Sequence, residues 1–189
     1  CERLMVMQRG RTVELLSVAP GASAPPTPLP GRALDSSAGG GRAWVLASPA
    51  PPTGAARGAP WVERLTAFGP TGAALLEEEQ PADATHIAVS GDGSTVAVVR
   101  DAINEGVRTV TLRDGATLRP LRTFDVFTSG IAAVGVRPGG AELFTGTTLG
   151  ALGHWSLDQG TLIRQSTGEE SSTPSSLPGT MLFCRCMSN

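Results

Sequence analysis

Few residues in this 189-residue chain have the type and spacing to do chemistry, and each has a simpler use. Cys184 and Cys186 flank Arg185 near the C-terminus and offer two thiolates. A structural zinc site takes about four ligands, usually with wider Cys spacing, and no second pair accompanies this one. Residues two apart on a strand share a face, so the two cysteines read as packed thiols. His86 and His154 read as packed or hydrogen-bonded histidines rather than catalytic bases. Asp92, Asp101 and Asp114 read as turn formers. Glu77, Glu78 and Glu79 read as a solvated strand end. Gly91-Asp92-Gly93 and Gly139-Gly140 precede neither Lys-Ser/Thr nor a helix, so they are turn glycines and not a phosphate cradle. No Gly-x-Ser-x-Gly nucleophile elbow occurs. The reading is of no catalytic, cofactor-binding or metal-binding residues, and no small-molecule ligand.

Composition points the same way. Charged residues make up 17% of the chain, and the net charge is −2 with no basic cluster. Nucleic-acid binding needs dense Lys and Arg against phosphate, so no nucleic-acid partner is expected. No apolar run reaches the roughly 18 residues of a spanning helix, and no signal-peptide pattern opens the chain. Membrane insertion is therefore not expected. Three cysteines make no secreted disulfide framework. The 24 glycines and 15 prolines favour short strands and many turns over long helices. Cys1 stands where a full chain would carry Met, which reads as a fragment of a longer protein.

The elements that must position these residues recur. One hairpin pattern occurs around Leu143-Phe144-Thr145 and Leu152 to Leu157, around Val96 to Val99 and Val107 to Leu112, and around Leu4 to Met7 and Val13 to Val18. From Leu112 to Leu157 is 45 residues, and from Val18 to Leu112 is 94, twice 47. A weaker copy fills the gap, with Trp61 to Phe68, a turn at Gly69-Pro70-Thr71-Gly72, then Ala73 to Leu76. A period in the mid-forties matches the roughly 40–45 residues of a four-stranded propeller blade. Repeats are expected at 1–18, 42–80, 84–124 and 129–165. Pro- and Gly-rich stretches at 19–41 and 48–60 read as flexible inserts. Residues 166–189 read as a polar tail in which Thr180 to Cys184 could begin a further blade.

Residues 84–165 resemble WD40-type β-propeller blades. Residues 136–143 look like the first turn of such a blade, and Leu152-Gly153-His154-Trp155-Ser156-Leu157 looks like its third strand. Ser156 stands where the family has aspartate, and the family's Gly-His pair is missing before the first strand. The resemblance implies an all-β fold of four-stranded antiparallel sheets, forming an arc or incomplete ring. It places Trp155 between blades, where burial contributes roughly 2–3 kcal/mol. It also turns inner strands toward a central channel, which makes His86 the better functional candidate of the two histidines.

The expected function is a protein–protein interaction scaffold in the cytoplasm, part of a larger protein, and not an enzyme. The partner face is expected at 101–105, 125–129 and 147–150. The alternatives are a piece of a propeller enzyme, hydrolase or quinoprotein-like, and a non-functional truncated fragment.

Overall fold

The computed structural model describes residues 4–9, 12–17, 27–29, 32–49, 62–102, 107–126 and 130–166. Fifteen strands run through them: β1 Leu4–Arg9, β2 Thr12–Ser17, β3 Thr27–Leu29, β4 Arg32–Gly39, β5 Arg42–Ser48, β6 Val62–Phe68, β7 Ala74–Pro81, β8 Ala84–Val89, β9 Thr95–Ala102, β10 Val107–Asp114, β11 Pro120–Asp125, β12 Ile131–Val136, β13 Glu142–Thr147, β14 Leu152–Ser156 and β15 Thr161–Ser166. They form one three-stranded and three four-stranded sheets, each made of consecutive antiparallel strands. This is the all-β blade architecture that the repeat implies.

The sheets stack in chain order. β4 lies against β8, and β8 against β12, so these are the inner strands of successive sheets. The first sheet touches the second through β1 with β5 and β2 with β4. Strand alternation explains the stacking, because the central strand β9 buries side chains on both faces. On β9, Val96 and Val98 join Trp44, Leu46 and Leu65 of the second sheet. The intervening Ala97 and Val99 join Leu143 and Trp155 of the fourth. Neither sheet could cover two apolar faces alone, which is why the units come as a series.

Two strands lie inside 19–41, the stretch expected as an insert: β3 and all of β4. β4 is the inner strand of the second sheet, which therefore begins at Arg32 and not at residue 42. Its sequence, Arg-Ala-Leu-Asp-Ser-Ser-Ala-Gly, lacks an apolar stripe. Its order comes from its partners instead. The amide of Ile87 donates to Asp35 Oδ2 at 2.8 Å, and the amide of Val89 donates to Ser37 Oγ at 3.1 Å. Ser48 belongs to β5, while most of the second expected insert lies outside the described residues. So do Trp61, the 166–189 tail beyond Ser166, and Cys184 and Cys186.

Candidate interaction surface

One rim of the arc gathers the connections expected to form a partner face. Gly130, just before β12, lies between Asp101 near the end of β9 and Thr148 in the β13–β14 turn. Gly130 accepts from the amide of Thr148 at 2.9 Å, and the amide of Ile131 donates to Asp101 Oδ2 at 3.2 Å. Val126 donates its amide to the Arg108 carbonyl at 3.0 Å. One repeat earlier, the amide of Asp101 donates to the Asp83 carbonyl at 2.9 Å. The third and fourth sheets thus share one device, in which the end of the second strand is tied to the chain entering that sheet. Residues 103–106 and 127–129 lie outside the described residues.

Under this rim sits an ion pair. Arg108 Nε meets Asp101 Oδ1 at 2.9 Å, with side chains only 11% and 7% exposed. Asp101 lies within β9, opposite Arg108, so it is an interstrand ion partner and not the turn former read from sequence. Beside it, Arg100 Nε reaches both carboxylate oxygens of Asp83 at 2.8 and 2.7 Å. The rim is therefore braced by charge-assisted bonds, which are stronger than neutral ones.

On this braced base, Thr148, Leu149 and Gly150 form the turn between β13 and β14. Leu149 is 77% exposed. A leucine presented at a turn tip has no part in the core, and sequence reading grouped it only with its loop. The signal available was an apolar residue between turn formers, Thr147-Thr148-Leu149-Gly150.

The opposite rim is built by close-packed turns. Asp92 accepts from Ser90 Oγ at 2.6 Å and from the Ser94 amide and hydroxyl, which holds its carboxyl below the usual range. Asp114 accepts from the Thr117 hydroxyl and amide at 2.7 and 2.8 Å, with the same consequence. Both are turn formers, as their sequence setting suggests. The Gly115 amide donates to the Ser94 carbonyl at 2.8 Å, and the Arg42 guanidinium donates to the Gly115 carbonyl at 3.0 Å. Leu118 closes this turn with φ at 61°, a left-handed conformation uncommon for leucine, while its side chain is buried between the second and third sheets.

The acidic run lies on β7 and divides by strand alternation. Glu77 faces Arg64 at 3.1 Å in the exposed half. Glu78 points the other way and meets Arg113 of β10. A β-bulge between Leu112 and Arg113 accompanies this reach across sheets.

His86 lies half-buried on β8, with Nδ1 2.9 Å from Thr85 Oγ1. Asp35 of β4 has its carboxyl pushed up by burial, despite bonds from the Ile87 and Ser36 amides and the charge of the His86 imidazole. Both Asp35 oxygens are engaged by backbone amides, which gives it a stapling role between β4 and β8. His154 stacks on Phe144 with ring centroids 4.7 Å apart, and its Nε2 lies 3.2 Å from Glu142. Among the described residues, no group of three His, Cys, Asp or Glu side chains could hold a metal ion. Among them, no helix is long and apolar enough to cross a membrane.

No family model matches the chain, and no curated protein matches it. Solved structures do. KlHsv2 with loop 6CD replaced by a Gly-Ser linker superposes with a TM-score of 0.64 at 10% identity, covering 89% of this chain and 52% of that one. The RRP9 WD40 repeats give 0.55 at 10% identity, over 89% and 45%. The fold is that of a WD40-type β-propeller. The hydrazine synthase of Kuenenia stuttgartiensis gives 0.62 at 14% identity, over 87% and 45%. At such identities the likeness is one of fold, which unrelated functions share. The chain spans about half the length of these solved structures.

Trp155, on the third strand of the fourth sheet, is buried. Its indole N–H donates to Thr145 Oγ1 at 2.9 Å. Phe124 of the preceding sheet lies 6.0 Å from its ring. Trp155 thus packs between sheets, as the resemblance implies.

Proposed function

We propose that this chain is a cytoplasmic protein–protein interaction module, with its partner face on the rim that carries Leu149. The observation behind this reading is a 77% exposed leucine on a turn whose base is fixed by backbone bonds and a buried ion pair. A rigid base keeps the entropy cost of docking low, and an apolar anchor within a polar rim suits protein contact. The test is partner capture with the intact chain and with Leu149→Asp. Loss of the captured protein is expected, with an unchanged circular dichroism spectrum. Leu121→Asp, at an exposed site on β11, should retain it. Equal capture by both variants would remove this rim from the interface.

A further inference from the structure

The last turns of the third and fourth sheets share one design and differ at one residue. In the β10–β11 turn the Leu118 amide donates to the Asp114 carbonyl at 2.7 Å, and in the β14–β15 turn the Gly160 amide donates to the Ser156 carbonyl at 2.8 Å. Both residues are left-handed, with φ at 61° for Leu118 and 68° for Gly160. They hold equivalent places in successive sheets. Leu118 sends its side chain back into the second sheet, where it is buried in one cluster with Trp44, Leu46 and Leu65. Gly160 sends nothing back toward the third sheet. A Cβ added there would lie 3.3 Å from Arg122 Cδ and 3.5 Å from Phe124 Cβ, both on β11.

The two outer grooves differ accordingly. Between the second and third sheets the groove is filled: Leu118 plugs it, and Arg113 meets Glu78 and Gln80 of β7. Between the third and fourth sheets it stays open. Leu162 of β15 stands opposite Trp155 and is 41% exposed, Phe124 is only half-buried, and Arg122 is exposed. Arg64, Arg100, Arg108, Arg113 and Arg137 each meet a carboxylate, whereas among the described residues Arg122 meets none.

We propose that the open groove takes an extended segment of a partner protein that carries an aliphatic and an acidic side chain two residues apart. The filled groove is the template. There the chain itself sets an aliphatic plug, Leu118, and a carboxylate, Glu78, around its arginine. In the open groove the arginine and the apolar pair Phe124 and Leu162 are present, and the plug and the carboxylate are missing. A partner carboxylate on Arg122 makes a charge-assisted bond to a planar fork. An aliphatic side chain over Gly160 removes apolar surface from water. Residues two apart on an extended chain share a face, so one short segment supplies both, as Leu76 and Glu78 do on β7. This groove lies at the rim opposite Leu149 and does not depend on what Leu149 binds.

The test is fluorescence anisotropy with the 189-residue chain and a labelled peptide of repeated Leu-Ser-Glu-Ser, beside its counterpart with lysine for glutamate. Saturable binding of the acidic peptide is expected, with the lysine peptide weaker by about ten-fold or more. Arg122→Glu should weaken the acidic peptide by about ten-fold or more, and raised salt should weaken it too. Gly160→Leu puts the chain's own plug into the groove and should also weaken it. Leu75→Asp, at an exposed site on β7, should leave it unchanged. If Gly160→Leu loses its native circular dichroism, Leu162→Asp replaces it, with weakening still expected. No saturable binding by the native chain would overturn the proposal. Equal binding of the lysine peptide, or an affinity indifferent to Arg122→Glu, would overturn it as well.

Discussion

The Arg113 guanidinium of the third sheet meets the Glu78 carboxylate of the second at 2.6 Å. The same Arg113 donates to Gln80 Oε1 at 3.1 Å and to the Leu118 carbonyl at 2.9 Å. One side chain thereby joins the outer strand of one sheet to the bulge and turn of the next. Arg113→Met should cost roughly 1.5–3 kcal/mol, the range for bonds to charged groups. The lower end is expected, because Glu78 is about a third exposed and screened. Arg113→Lys should recover little, since an ammonium cannot reach several fixed acceptors as a planar fork does. Urea unfolding of the two variants checks both statements.

Thr145 holds the indole of Trp155 from inside the sheet. Thr145→Val keeps shape and removes the acceptor, so a buried N–H loses its partner. A loss of about 1–3 kcal/mol is expected. Thr145→Ser retains the hydroxyl and should cost clearly less. A smaller loss for valine than for serine would show that the bond contributes nothing to stability.

Gly115 packs against the Gly93 carbonyl so closely that an added Cβ would overlap backbone. Gly115→Ala must shift one of two turns on different hairpins, with an expected cost of about 1–3 kcal/mol. Gly41 makes a useful contrast. Nothing lies within 4 Å of its would-be Cβ, but its φ is +70°. Gly41→Ala should cost only about 1 kcal/mol, from the left-handed backbone alone. Thermal melts that rank Gly41→Ala below Gly115→Ala in stability would contradict the close approach.

Glu142 and Glu63 should give opposite pH responses. Glu142 accepts from Arg137 at 3.0 Å, and that bond, then His154, holds its carboxyl below the usual range. Its stabilisation is present above the unfolded pKa and is lost as pH falls through the lower folded value. Glu142→Gln should therefore melt below the native chain at pH 7 and converge with it in acid. Glu63 is buried on β6, and burial pushes its carboxyl up, against a bond from Ser48. Its ionisation opposes folding as pH rises through that raised value. Glu63→Gln should melt above the native chain at pH 7 and lose that advantage below the usual carboxylate range. Melting curves from pH 3 to 8 read both signs.

The strands of the third and fourth sheets were legible because alternation and turn residues coincide. Val96 to Val99 is apolar on both faces, and the turns Ser90 to Ser94 and Arg137 to Gly140 carry left-handed glycines. β4 was hidden because it is ordered by bonds from the neighbouring sheet to Asp35 and Ser37, which a one-dimensional pattern does not encode. The cross-sheet role of Arg113 was hidden because a bulge adjoins it and Glu78 sits in an acidic run. The β13–β14 turn was legible from its turn residues, but the exposure of Leu149 depends on what surrounds that turn. Asp101 was misread for the same reason, since only strand pairing brings Arg108 opposite it.

β9 places alternate residues in two separate apolar cores, Val96 and Val98 in one and Ala97 and Val99 in the other. A disturbance on either side of it is therefore transmitted to the far side. The second and fourth sheets should melt as one cooperative unit although they do not touch through their cores, and a bulky residue at Ala97 would be felt by Trp44 as well as by Trp155.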